Sequence, residues 1–182
     1  MNAVKDSYAT YDVMPHLSYN IIEHLMSNPD AEIIWKLLKY NSPDAWEKPN
    51  LSRREKSALI YDGSESQDGF SVFFDNFMDE STNAEKTFLR IYPSAIYPNN
   101  RTVGVCCVNI EVFTHSQINH LSDYSTRVDT IIQALFKVLN GVNVEGVGVL
   151  YFDIMGNRYC RMSTTGEKPY KGKIIVMGVN LS

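Results

Sequence analysis

The sequence predicts an α+β fold: a mostly antiparallel sheet packed against one main helix, with a helical N-terminal region. Three observations carry this expectation. Apolar residues recur at helical spacing through the first third of the chain and again over residues 123–139. Elsewhere the spacing falls to two, and Val, Ile, Phe and Tyr are concentrated there, as in strands. Tyr97-Pro98-Asn99-Asn100 forms a turn short enough to join antiparallel neighbours. With 182 residues, 44% hydrophobic and 21% charged, the chain can enclose a sizeable core and has ordinary globular composition.

In the first third, Ile21, Ile22, Leu25 and Met26 make the apolar face of a short helix that Asn28-Pro29 ends. Asp30 is expected to cap a second helix, whose face is Ile33, Ile34, Leu37 and Leu38, widened by Trp35. Ser52 and Glu55 stand at capping-box spacing before Ala58, Leu59 and Ile60, the apolar side of a third helix. Asp62-Gly63 closes it, and the polar run to Gly69 reads as a linker. This divides the chain into a helical region, 1–62, and an α+β domain, 70–182.

Beyond the linker, Ser71–Phe77, Phe88–Tyr97 and Thr102–Phe113 are expected strands, the last two forming a hairpin. The main helix should run from roughly Asp123 to Leu139. Val128, Ile131, Ile132, Leu135, Phe136 and Leu139 lie on its apolar face, with Arg127, Asp129, Gln133 and Lys137 on the polar one. Asn140-Gly141 is its stop signal. Three strands are expected to follow: Gly148–Met155, then Arg158–Met162 after a Gly156-Asn157 turn, and Gly172–Leu181 after a polar loop, Ser163–Lys171.

Several functional classes find no pattern here. The net charge of −4 opposes general affinity for a phosphate backbone, which needs clustered cations. The first residues lack an apolar leader segment, and nowhere do 18 apolar residues run together, so no membrane association is expected. Cys106, Cys107 and Cys160 are odd in number and irregularly spaced, which favours reduced thiols and leaves the sequons at Asn100 and Asn180 idle. Cys106 and Cys107, adjacent on a strand, point to opposite faces and read as packing residues.

Thr165-Gly166-Glu167-Lys168-Pro169-Tyr170 spells a zinc-finger linker, but no pair of histidines precedes it and no pair of cysteines follows. Gly146-Val147-Gly148 lacks the third glycine of a dinucleotide loop, and Gly172-Lys173 is followed by Ile174 where a phosphate loop needs Ser or Thr. No G-x-S-x-G occurs. No catalytic residue, cofactor or metal ligand is therefore expected. His115, His120 and Asp123 form the one set from which a metal-assisted hydrolase could be built.

What stands out is contact material: eleven tyrosines, eight phenylalanines and seven methionines, residue types in which interfaces are enriched. Phe73 and Phe77 share one face of the first expected strand and Phe74 takes the other. Either helices cover both faces of the sheet, or a neighbouring subunit covers one.

The order from Ser71 to Leu181 resembles the tail-terminator and related neck subunits of tailed bacteriophages. The resemblance rests on the hairpin, the helix Arg127-x-Asp129-x-Ile131-Ile132-x-x-Leu135, Asn140-Gly141, Val147-Gly148-Val149-Leu150-Tyr151, and Tyr170-Lys171-Gly172-Lys173-Ile174-Ile175-Val176. It implies a ring, usually hexameric, that caps the tail tube at the head-tail junction and meets a head-closure or adaptor protein. Genomic DNA would pass through without specific binding, and the protein would reside in the virion after assembly in the host cytoplasm.

The helical Tyr19–Ile60 region departs from the minimal pattern of that family. This leaves head-closure, adaptor or tube-like subunits as alternatives, and a regulatory module using those helices as a reading of another class. Contacts to the next ring are expected from loops. The candidates are Lys168, Tyr170 and Lys171, expected to be exposed, and Glu145 in the turn after the main helix, beside the aromatic Phe73, Phe74 and Phe77.

Overall fold

Residues 11–64, 66–76, 85–152, 160–166 and 168–181 are described by a computed structural model. The fold is α+β. Among these residues seven strands form one mixed, mostly antiparallel sheet: β1 (Val72–Phe73), β2 (Thr87–Pro98), β3 (Gly104–His115), β4 (Val142–Val144), β5 (Gly148–Tyr151), β6 (Arg161–Thr165) and β7 (Tyr170–Leu181). The order is β1-β2-β3-β7-β5-β4, and β6 pairs with β7 on the flank that β5 also uses. Only β1 pairs in parallel.

The β2–β3 hairpin turns where the sequence places its turn. Asn100 caps the bend by accepting from the backbone N–H of Thr102 and Val103 at 2.8 and 2.9 Å. The long antiparallel ladders of β3 with β2 and β7 then fix which residues share a face.

One face carries Leu89, Ile91, Val108, Ile110, Ile175 and Met177, and α1 (Leu17–Ser27), α2 (Glu32–Lys39) and α4 (Arg127–Leu139) lie over it, while α3 (Arg53–Ser57) is tied to α1 and α2 through Lys56. The expected apolar residues of α4 meet this face; Ile131, Leu135 and Leu139 are fully buried. The N-terminal helices join the same core, with Ile21, Leu25, Ile34 and Leu37 sealed in it. Trp35 is buried between α1 and α2, its indole N–H donating to the Leu25 carbonyl at 3.0 Å. Lys56, from α3, is also buried, paired with Glu32 at 2.6 Å and donating to the Met26 carbonyl at 3.2 Å. The Ser52–Glu55 capping box forms in full.

Several expectations are corrected. Arg127, assigned to the polar face of the main helix, is fully buried. The helix begins at Arg127, with Thr126 as its cap and a loop over residues 121–125. Asn28, rather than Asp30, supplies the cap before α2, because its carbonyl oxygen reaches the Asp30 N–H at 2.9 Å. Ala58–Ile60 lie past the end of α3, although Leu59 is still buried.

The expected strand from Ser71 is only two residues long, and Phe77 lies outside the described residues. The Gly156-Asn157 turn and the end of the expected Gly148–Met155 strand also lie outside them. The polar stretch Ser163–Thr165 belongs to β6 rather than to a loop, and β7 starts at Tyr170.

Candidate functional site

The second face of the sheet carries no helix among the described residues. Its β1 edge is aromatic: Phe73, Phe88 and Tyr170 cluster with Tyr61, Phe70 and Phe113. Gly172 makes the packing possible, since a Cβ there would meet the Phe113 ring at 2.7 Å and the Val112 carbonyl at 2.5 Å. The Arg90 guanidinium stacks over Phe113, 4.9 Å from the ring centre.

Next to the aromatics runs a polar chain set by cross-strand register. Arg90 stands opposite Glu111, and Tyr92 opposite Asn109. Arg90 pairs with Glu111 at 3.2 Å, Tyr92 donates to the same carboxylate at 2.5 Å, and Asn109 donates to the Tyr92 hydroxyl at 3.2 Å. Burial pushes the Tyr92 phenol above its ordinary value, so it stays a donor at neutral pH. Two shallow hollows flank this chain. One, about 480 Å³, is bordered by Phe74, Asn76 and Tyr92; the other, about 320 Å³, by Tyr97, Cys107 and Arg161.

Of the expected contact residues, Phe73 is buried in the aromatic cluster and Phe74 is half-buried against the main core. Phe73 thus stabilises the monomer and is not an exposed contact. Tyr170 corrects the expectation of exposure, being buried with its ring centre 5.6 Å from those of Phe88 and His115. The cause is register: Tyr170 opposes His115 on the helix-free face, where the aromatic cluster closes over it. Lys168 and Lys171 are exposed.

These two lysines lie at an end of the sheet where four loops are tied together. Asn41 donates to the Glu85 carbonyl, the Ser122 N–H to Pro43 at 3.0 Å, the Ser116 N–H to Pro169 at 2.9 Å, and Trp46 Nε1 to Ser122 Oγ at 3.2 Å. Two aromatics outside the sequence-based candidates project there. Trp46 is 40% exposed and Tyr124 is 97% exposed, the latter with a positive φ of 66°. The available signal was the turn-prone Ser122-Asp123-Tyr124-Ser125 run ahead of the Thr126 cap.

Glu145 sits at the opposite end of α4, about 20 Å away for a helix of that length. It rims a hollow of about 410 Å³ with Asn20, Glu23, His24, Ser27 and Gly146. Asn20 donates to the Gly146 carbonyl at 3.1 Å, and His24 Nε2 to the Val138 carbonyl at 3.2 Å.

The other candidates are engaged locally. His115 is buried edge-on against Tyr170, and its Nδ1 accepts from the Gln117 N–H at 3.4 Å. His120 is exposed. Asp123 accepts from the Ser125 hydroxyl and N–H at 2.6 and 3.0 Å, which holds its carboxyl below the usual range. Among the described residues no three His, Cys, Asp or Glu side chains gather as a metal site. No helix among them is long and apolar enough to cross a membrane. Cys106 faces the helices and Cys107 the other side, as alternation requires. Burial, and then Cys107, push the Cys106 thiol up to about 11.

The YomW family model matches residues 31–177, which takes in α2 to α4 and the sheet through most of β7. No curated protein matches the chain.

Proposed function

The chain belongs to the YomW family, a phage-derived family, and from that premise we propose that it is a structural subunit of a tailed-phage particle. It forms a ring at the head-tail junction, capping the tail tube on one side and meeting a head-closure or adaptor protein on the other. A hexamer is the expected size, because the resemblance of the Ser71–Leu181 region to tail terminators implies one.

The observation that carries this reading is the placement of exposed contact material at two opposite ends of one body. Tyr124, Trp46, Lys168 and Lys171 lie at one end and Glu145 at the other, separated by the length of α4. A ring subunit between two other rings needs different surfaces at its two ends, and a single core keeps them in fixed relation. The net charge of −4 suits a channel through which DNA moves, since a basic wall would hold each phosphate.

The test is particle assembly in a host making phage without this protein. The expected products are filled heads separated from tails, or tails of irregular length, seen by negative-stain microscopy. Normal particles in its complete absence would overturn the assignment. Labelling the protein in intact particles locates it at the junction on this reading; label along the tail would instead favour a tube subunit.

A further inference from the structure

The flanks of the sheet differ in how they are protected. β2 extends well past the two residues of β1, but that stretch holds Pro93, Pro98 and a bulge at Ser94, which blunt it as a pairing edge. β4 is protected by its length of three residues. β6 has neither device. It pairs with β7 on one side, and β4 covers the flank of β5 alone. Its five residues include no proline and no bulge, Arg161 at its start is its one charge, and Arg161, Met162, Ser163 and Thr164 are all exposed. Among the described residues nothing takes up the outward backbone N–H and C=O groups of this strand, so it is a template for one more.

The side chains around that edge select what can pair with it. Thr164 stands opposite Lys173, and the register of Lys173 with Val112 puts both on the helix-bearing face, as it does Lys171. With Val128 of α4 they line a cleft of about 270 Å³ between β6 and the start of that helix. Asp129 also borders the cleft, but Lys173 already holds its carboxylate. Arg161 stands opposite Val176, on the other face. Neither Lys171 nor Arg161 has an ion-pair partner among the described residues. The edge is thus basic on both faces, although the chain as a whole carries a net charge of −4. Two copies meeting through β6 would set like charges against each other.

We propose that β6 is a docking edge for an extended, acidic segment of another protein, which adds a strand to this sheet. Main-chain hydrogen bonds along residues 161–165 hold the segment, and its side chains fall alternately on the two faces. Carboxylates on the helix-bearing face reach Lys171 over the short Thr164 side chain, and those on the other face meet Arg161. Met162, 48% exposed, gives an apolar residue of the segment its contact. The inference goes beyond the ring reading and does not depend on it.

The probes are peptides of about eight residues, a common strand length, alternating Thr or Val with Glu in either phase. They are titrated into the isotope-labelled full chain while amide exchange is followed by NMR. The expected result is a Kd of about 1 mM or tighter, with slowed exchange centred on β6. Peptides with Lys in place of Glu should bind at least about tenfold more weakly. N-methylation at every residue removes the donors, keeps the charges and should abolish binding. The double variant Arg161→Glu, Lys171→Glu should exchange the preference, taking the Lys peptides over the Glu peptides. Unchanged exchange in residues 161–165 at about 1 mM peptide, equal binding of the Lys peptides to the wild type, or full binding of the N-methylated ones would overturn the proposal. So would β6 amides already protected in a dimer of the free chain, which would give the edge to a second copy. Particle assembly judges the ring reading separately.

Discussion

Arg127 Nη1 donates to the carbonyl of Leu37 at 2.8 Å, joining the start of α4 to α2 across 90 residues of chain. The same guanidinium donates to Tyr40 at 2.7 Å, Ser42 at 3.0 Å and, through Nε, Ile118 at 2.9 Å. All four acceptors are backbone carbonyls at the end of a helix or in a loop. Burial pulls its pKa down to about 10, so the side chain is still a cation at neutral pH, and the carbonyl dipoles stand in for a counter-ion. Replacing it strands those carbonyls. Arg127→Met should lower stability by about 3 kcal/mol or more, given roughly 1.5 to 3 kcal/mol for a hydrogen bond to a charged group. Arg127→Lys should not restore it, because an ammonium cannot span the same fork. Urea unfolding decides this, and a loss below that of an exposed control such as Gln133→Ala would refute the central role given to Arg127.

Leu135 is fully buried where α4 meets the sheet. Leu135→Ala should cost about 2 to 5 kcal/mol, combining lost transfer energy with the cavity left behind. A thermal shift no larger than that of the Gln133 control would remove this face of the helix from the core.

Asp129 is held below the usual carboxylate range, first by its bond to Lys173 and then by Thr126. A carboxylate whose folded pKa is depressed stabilises the protein above its unfolded pKa, and that contribution disappears as pH falls through the folded value. The loss should therefore begin near pH 4 and continue below it. Because the Asp129 side chain is 53% exposed, solvent screens the effect and keeps it small. Thermal midpoints from pH 5 to pH 2 should fall less steeply for Asp129→Asn than for the wild type; identical slopes would contradict the pairing.

Cys106 should be silent toward a thiol reagent at pH 8 in the native protein and react fully once denaturant is added. Its thiol is inaccessible, and only the thiolate is a good nucleophile. Rapid modification of Cys106 in the folded chain, located by mass spectrometry, would contradict its burial.

Lys168 and Lys171 are both exposed. Reversing their charges together should change stability by about half a kcal/mol at most, as for ordinary surface sites, while weakening docking to the neighbouring ring. Particles assembled normally by this double variant would discard the lysines as contacts without touching the fold.

Some local signals could be read directly, while the Asp30 cap and a helical start at Asp123 could not. The Ser52–Glu55 box needs only residues three apart, and the α4 face needs only its own periodicity, so both could be read directly. The hairpin likewise follows from its turn. What escaped depends on distant partners. Arg127 resembles any helix-surface cation until the carbonyls of residues 37–42 close around it. Ser163–Thr165 reads as a loop because it is polar, yet an edge strand with one neighbour tolerates polar residues on both faces. Tyr170 sits in a polar stretch, and only its register with His115 shows that it points into the aromatic cluster. Among the site residues, Glu145, Lys168 and Lys171 were found at the surface because turns and charges stay there. Tyr124 was missed because one aromatic in a polar turn carries no periodic signature.

The continuous pairing of β3 with β7, from Gly104–Leu181 to His115–Tyr170, has a mechanical consequence. These strands run between the end that carries Tyr124 and Lys171 and the end that carries Glu145, so tension between those ends acts along them. Antiparallel hydrogen bonds lie perpendicular to the strands, and such a pull would have to shear the ladder's bonds together instead of peeling them one at a time. The molecule is therefore stiffest in the direction joining its ends. A sideways pull on the short β1 or β4 edge would open the sheet far more readily.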